Sequence, residues 1–454
     1  MWLNAPRVWG TSVSVAVVAI ARAEGISTMR VAFYSSHVTR DYAAGRLTIE
    51  IQAERLPGVP ARSDTVWFTV PPDFHTHNDS VAAALLTLVG AQYRHVTFNF
   101  PISRFCADLL AWYYTLDEVG PVDESLEPRQ PGRYLALNFS GGLDSTAVWV
   151  LLHDLAQVRF KVVTTDYQNT MLDRPGYSSY HRDVTTLTNL RALHYDRHGR
   201  FNCAAPLLFA DYADLWGVAS GHMMNHRPNS FESLQAGQRP QFLTQDATYN
   251  AGGLAEVHIV RGMNEPGLLM LLARVAPERI GPALDASDFA GRRKRALKSL
   301  TLKYYFDIAG EPVPACLKHI PMPGPGVGRS TDLGVGFRTL WMLKRLDREV
   351  MAQIEPKIFE TDLSQVADIG TEFYERYNTS ISQLLPSELR RRVAHGLHQA
   401  GLYPFNERDH ADLNAVRRYL ESVGLQSAAP SLQRSAPPPD GWSPSAIDTA
   451  RLEL

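Results

Sequence analysis

The run YLALNFSGGLDSTAVWVLLHDL, residues 134–155, decides how the rest of the chain is read. Residues 134–139 are a short, β-favouring apolar stretch of the kind that forms a buried strand, and residues 146–155 carry apolar side chains at a helical period. Ser140 to Ser145 is then a strand-to-helix turn. Such a turn aims free backbone N–H groups at one point, where the helix dipole adds partial positive charge, so the place suits an anion such as a phosphate. Gly141 and Gly142 let the backbone approach that anion with no Cβ in the way. A tight turn with serine helix caps accounts for one serine and one glycine, but not for the whole run, which also lacks the lysine of a Walker phosphate loop.

The run Ser140-Gly141-Gly142-Leu143-Asp144-Ser145 resembles the pyrophosphate loop of the N-type ATP pyrophosphatases. That family includes asparagine synthetase, GMP synthetase, the tRNA 2-thiouridine synthases and 7-cyano-7-deazaguanine synthase. The resemblance implies an α/β fold, a parallel-sheet (HUP-like) ATP pyrophosphatase domain. It implies ATP and Mg²⁺ as cofactors, cleavage of ATP between its α and β phosphates, and transfer of AMP to a carbonyl or amide oxygen. A sulfur or nitrogen nucleophile then displaces the AMP. On this resemblance the loop residues Ser140, Gly141, Gly142, Leu143, Asp144 and Ser145 bind ATP, with Asp144 also beside Mg²⁺. Charge developing on a departing pyrophosphate calls for pre-aimed donors and a metal.

The chain has 454 residues, 45% of them hydrophobic and 20% charged, which is ordinary for a globular protein of two or three domains. Its net charge of −2 advertises no nucleic-acid partner. Three scattered cysteines, Cys106, Cys203 and Cys316, make no disulfide framework and fit a reducing, cytoplasmic setting. No stretch reaches the roughly 18 apolar residues of a membrane span. Residues 1–28 imitate a secretory signal, with Arg7, a short apolar run and Ala21 and Ala23. An ATP-consuming enzyme would be stranded outside the cell, so they are read as a non-core extension and Met29 as the start of folding.

Residues 29–130 are β-rich, with strands expected at RVAFYSS, LTIEIQAE, DTVWFTV and HVTFNF and a helix at DSVAAALLTLVGA. They form a small α+β domain whose role is open between homodimerisation, substrate contact and structural cover. No cysteine follows an initiator methionine, so a built-in glutaminase is not expected. Residues 131–290 alternate between strand and helix. FKVVTTDY is a strand, YSSYHRDVTTLTNLRAL a helix, LHYDRH a strand, PLLFADYADLWG a helix, and GVASGH and EVHIVRG strands before the helix PGLLMLLARV. That alternation implies a parallel sheet with ligands at the carboxyl ends of its strands.

This rule selects Asp166, at the end of TTDYQ, and Gly221 and His222, at the end of VASGH. The first segment is similar to one in the deazaguanine synthase and the second to the Ala-Thr-Gly-His segment of the tRNA thiolases. The resemblance assigns all three residues to ATP binding. Read without it, Asp166 is equally a turn cap and His222 an ordinary structural histidine. Asn264-Glu265 stands where relatives carry a Lys-Glu pair, without the lysine.

The nucleophile turns on the cysteines. Cys203 lies about where the 2-thiouridine synthases carry an Asn-x-Cys thiol, and Cys316 lies near Lys318, His319 and Arg329, cations that would lower a thiol pKa. Both are equally read as buried, inert thiols. No Cys-x-x-Cys is present, which disfavours the zinc site of the nitrile-forming relatives. The helix GRRKRALKSLTLKYYF is basic, either an RNA-phosphate contact or a solvated face, and a small nucleobase-like substrate is preferred to RNA. FRTLWMLKRLDREVMAQI and SELRRRVAHGLHQAGL are amphipathic helices of a cap over residues 291–425, and residues 426–454 read as a disordered Pro/Ser/Ala-rich tail. The function expected is a sulfur transferase using Cys203 and Cys316 with a sulfur-donor protein; the alternatives are a ligase using ammonia or an amine from a donor protein, and a nucleotide-binding protein without turnover, against which the intact Ser140 to Ser145 run speaks.

Overall fold

The computed structural model describes residues 29–42, 45–54, 61–167, 175–196, 201–224, 247–286, 292–322, 333–354, 364–379, 385–423 and 452–453. The chain folds as an α/β protein with two five-stranded sheets. The first holds β1 (Arg30–Ser35), β2 (Arg46–Ala53), β3 (Arg62–Thr69), β4 (His95–Ser103) and β5 (Glu118–Asp123), in the order β3-β2-β1-β4-β5. β1, β2 and β3 pair antiparallel, and β4 and β5 join parallel. In β2, Leu47, Ile49, Ile51 and Ala53 are buried while the residues between them are not, as period-two alternation requires of a sheet wetted on one face. Helices α1 (Asn78–Val89) and α2 (Arg104–Tyr114) cover the dry face. Ser103 caps α2 by accepting from Cys106 N, and the buried Asp79 of α1 accepts from Ser103 N and Oγ.

The second sheet is wholly parallel: β6 (Tyr134–Asn138), β7 (Phe160–Asp166), β8 (Val184–Leu187), β9 (Leu215–Ala219) and β10 (Ala255–Glu256), in the order β10-β9-β6-β7-β8. The chain runs outward from β6 to β8 and then returns to lay β9 on the other side of β6. The point of reversal, between β6 and β9, is where an open α/β sheet leaves a crevice at its carboxyl edge. Both faces are dry. Leu135, Leu137 and Trp216 point into one core, and Ala136, Leu215 and Val218 into the other, which also encloses the helices of the first sheet.

Several elements differ from the sequence reading. The helix expected over residues 177–193 is instead a short α4 (Pro175–Ser178) followed by β8, and of the strand expected over residues 193–198 the described part, residues 193–196, is a set of turns. Tyr177, Tyr180 and Val184 are all buried and stand at i, i+3 and i+7, which imitates a helix; the β-branched Val184-Thr185-Thr186 pairs instead with β7, Val163 against Val184. The helix expected over residues 206–217 is only α5 (Ala204–Leu208), and β9 already begins at Leu215. The EVHIVRG strand shrinks to the two residues of β10.

After α6 (Ala247–Ala251) come α7 (Glu265–Val275), α8 (Ile280–Ala286) and the basic α9 (Arg292–Ala309). The helix expected over residues 337–354 is two helices, α10 (Leu333–Arg345) and α11 (Arg348–Ile354), because Asp347 Oδ1 accepts from Glu349 N and Val350 N and starts a new helix. α12 (Ser387–Gln399) and α13 (Glu407–Ser422) complete the helical layer, α13 opening on a reciprocal Asn406 and Asp409 capping box. The extension at residues 1–28, Gln168, Arg329 and residues 426–451 of the tail lie outside the described residues. Leu452 packs against the core, and Glu453 N donates to Arg133 O at 3.0 Å.

Candidate functional site

The turn from β6 into α3 (Leu143–Val150) shows why this sequence needs its glycines. Gly141 has φ +72°, and a Cβ there would lie 2.9 Å from the Tyr177 ring. The Tyr177 hydroxyl donates to Ser140 O and holds the turn from outside. Gly142 is the N-cap of α3 and makes no side-chain cap bond to it. Ser145 Oγ donates to Gly142 O at 3.0 Å and lies 3.1 Å from Ser140 Oγ, so both hydroxyls gather at the turn. α3 runs on through a π turn, Leu151–Leu155, which lengthens the helix behind the turn.

A cleft of about 390 Å³ opens beside this turn, a size suited to a small-molecule ligand. After β6 it is lined by Asn138, Phe139, Ser140, Asp144 and Ser145, and after β9 by Ser220, Gly221 and His222. The two groups meet tightly, since a Cβ on Gly221 would lie 2.6 Å from Asp144 Cβ. Thr165, Tyr167, Arg191, Phe201 and Asn202 form the opposite wall. There the Arg191 guanidinium lies over the Tyr167 ring at 4.3 Å and the Phe201 ring at 5.3 Å, a surface on which a flat ring can stack. Burial pushes the Tyr167 hydroxyl well above the usual tyrosine range, so it stays protonated.

Behind the loop, charge converges on Asp144. Lys298 of α9 donates to Asp144 Oδ1, and Lys294 Nζ lies 3.9 Å from Oδ2. The Lys298 side chain is 3% exposed. Glu265, at the start of α7, is fully enclosed. Burial alone would disfavour its charge, but Lys298, Arg338 and Lys294 together hold its carboxyl below the usual range. Arg338 Nη1 is 3.3 Å from Glu265 Oε2. Repulsion from Lys298 is the largest influence on Lys294, whose pKa is lowered.

Of the residues selected from sequence, Ser140, Asp144, Ser145, Gly221 and His222 line one cleft, with Gly141 and Gly142 shaping its turn and Leu143 anchored in the core. Asp166 is buried and does not line it. Strand alternation turns Thr165 and the following Tyr167 to the cleft and Asp166 away. Cys203 is buried one residue beyond the cleft wall, 3.8 Å from Asn202 Oδ1. Cys316 is half-buried and packs against the core on the other face of the second sheet, so the fold does not bring the two thiols together. Burial raises the Cys316 pKa, opposite to the lowering expected from its basic neighbours.

Sequence reading missed Lys294, Lys298, Arg338, Arg191 and Tyr177. Lys298 carried a signal: Thr301, Leu302 and Tyr305 stand three, four and seven residues on, which puts it on the apolar stripe of α9 rather than its solvated face. Among the described residues no group of three or more His, Cys, Asp or Glu is placed to hold a metal, and no helix is long and apolar enough to cross a membrane. Comparison of the chain with protein-family models, curated proteins and solved structures finds no match.

Proposed function

We propose that the protein is an AMP-forming ligase of the N-type ATP pyrophosphatase kind, joining ammonia or an amine to a carbonyl carbon of a small, flat substrate. The observation that carries this reading is the uncapped Ser140 to Ser145 turn, which opens at the reversal of a parallel sheet with two lysines behind it. In the first step a substrate carbonyl oxygen bonds to the α phosphorus of ATP, and the bond to pyrophosphate breaks. The first-turn N–H groups of α3 and the Ser140 and Ser145 hydroxyls suit the departing pyrophosphate. Lys294 and Lys298 offset its charge. In the second step nitrogen bonds to the activated carbon, and AMP leaves with the carbonyl oxygen. The Tyr167, Arg191 and Phe201 wall suits a planar ring.

Mg²⁺ usually takes one or two carboxylates together with phosphate oxygens, and Asp144 fits as a single protein ligand to an ion arriving with the nucleotide. Such an ion would neutralise phosphate charge.

Nitrogen is preferred to sulfur because Cys203 is buried beyond the cleft wall and the partly buried Cys316 packs against the other core, not beside Cys203. The test supplies Mg-ATP, ammonia and a panel of carbonyl-bearing heterocycles and measures products. AMP and pyrophosphate are expected, with turnover falling roughly 100-fold or more in Asp144→Asn and Ser145→Ala and unchanged in Cys316→Ser. Release of ADP and phosphate overturns the proposal.

A further inference from the structure

The cleft wall that faces the Ser140 to Ser145 turn carries two buried polar atoms without a hydrogen-bond partner, Arg191 Nε and Thr165 Oγ1. Thr165 is 8% exposed and stands near the carboxyl end of β7. The Tyr167 hydroxyl lies near it, without the geometry of a hydrogen bond. Among the described residues, the carboxylate that approaches the Arg191 guanidinium is Asp196, whose Oδ2 stands 3.9 Å from Nε, too far for a hydrogen bond. A buried polar atom without a partner costs stability, and the cleft is where a partner can enter.

Two rings hold the guanidinium in place. Its carbon lies 4.3 Å from the centre of the Tyr167 ring and 5.3 Å from that of Phe201, and the two rings meet edge to face at 5.3 Å. Stacking of this kind fixes the guanidinium plane while its N–H groups, which point outward in that plane, remain able to donate. A fixed, permanently charged fork matches a carboxylate through two parallel hydrogen bonds. The cleft's acidic lining residue, Asp144, is engaged by Lys298 and Lys294, so it does not neutralise Arg191.

Resting on the adenylation reading, we propose that Arg191 selects a substrate whose ring bears a carboxylate in addition to the carbonyl that reacts. The reacting oxygen must reach the α phosphorus, and that reading puts the phosphates at the Ser140 to Ser145 turn, across the cleft from Arg191. A carboxylate gripped by a guanidinium has its lone pairs engaged, which makes it a poor nucleophile toward phosphorus. The acid held by Arg191 is therefore a handle and not the group that is activated. Thr165 Oγ1, on the same wall, is placed for a polar atom of the ring. The substrate class is a planar ring with one carboxylate and one separate carbonyl. Arg191 touches neither the phosphates nor the reacting atoms, and its part is specificity.

Ligand-observed NMR on the full chain tests this with two probes, 3-carbamoylbenzoate and isophthalamide, which differ only in that the acid of the first is a second amide in the other. The acid should bind roughly tenfold more tightly than the diamide. Arg191→Gln should remove that preference, and Arg191→Lys, which keeps the charge without the fork, should retain only part of it. Equal binding of the two probes, binding of neither, or a preference undiminished in Arg191→Gln overturns the proposal. Should Arg191→Gln fail to fold, a preference undiminished in Arg191→Lys overturns it as well. AMP and adenosine are measured beside the probes to separate a substrate acid from a nucleotide phosphate. Any advantage of AMP over adenosine should survive Arg191→Gln, and its loss would assign Arg191 to the nucleotide and sink the proposal. Mg-ATP cleavage is read in parallel. Release of AMP and pyrophosphate by a chain without acid preference sinks this inference alone, whereas acid preference in a chain that releases only ADP and phosphate sinks the adenylation reading and leaves Arg191 an acid-binding group.

Discussion

Glu265 is fully enclosed, and an ionised carboxylate there persists because cations surround it. Its folded-state pKa lies below that of an unfolded glutamate, about 4.3, so its stabilising contribution is complete above that value and is lost as pH falls through the folded pKa. Lys298→Met removes the strongest of those cations while keeping the volume. The variant should be less stable than the parent at pH 7, and the difference should narrow as pH falls through the folded pKa of Glu265, below which the carboxyl is protonated in both. Urea unfolding at a series of pH values measures this, and a difference that widens in acid would contradict it. The same residues explain what could be read from the chain alone. The Ser140 to Ser145 turn is local, and its chemistry is legible in six consecutive residues. Lys298 meets Asp144 across 154 positions and His258 meets Ser220 across 38, and only the packing of α9 and the order of the sheet bring those partners together.

Among the elements, β1 to β4 and helix α1 were legible because period-two alternation and an unbroken apolar run are strong local patterns, whereas β5, with the half-buried pattern of Glu118–Asp123, and α2 were not read from the sequence. β8 was not, because burial of Tyr177, Tyr180 and Val184 reproduces a helical spacing, and pairing with β7 is invisible in one segment. The connection between the sheets shows how elements are held. Arg129, buried on that connection, donates to Asp211 Oδ1 at 2.6 Å, Gly253 O at 2.7 Å and Leu215 O at 2.8 Å. It thereby ties the entry to β6 to the starts of β9 and β10. Burial lowers its pKa, with Asp211 pulling the other way, and it stays charged at any ordinary pH. Arg129→Ala should cost about 3–5 kcal/mol by chemical denaturation, since carbonyls and a carboxylate lose their partner together. Arg129→Lys should recover little of it, because an ammonium cannot span three acceptors as a planar guanidinium does.

At the scale of the whole molecule, the two sheets meet edge to edge. Thr186 Oγ1 donates to Thr69 O at 2.9 Å, Leu187 N to Thr69 Oγ1 at 2.8 Å and Trp67 N to Asn189 Oδ1 at 2.9 Å, so β8 and the turn after it cover the edge that β3 would otherwise expose. One apolar core runs through both. Leu85 and Leu88 of α1 and Leu109 and Leu110 of α2 belong to the same cluster as Leu207, Leu208, Phe209, Leu215 and Val218. A fragment of residues 29–130 would therefore expose the outer side of its two helices and an open strand edge, although its composition reads as that of a small domain. It should be aggregation-prone or fluctuating, with poorly dispersed amide NMR signals. In the full chain, hydrogen exchange should find α1 and β9 protected to a similar degree, because they share that core. A monomeric, well-dispersed fragment, or strong protection of one of those elements beside rapid exchange in the other, would show that the first sheet is energetically independent and that the shared core only covers it.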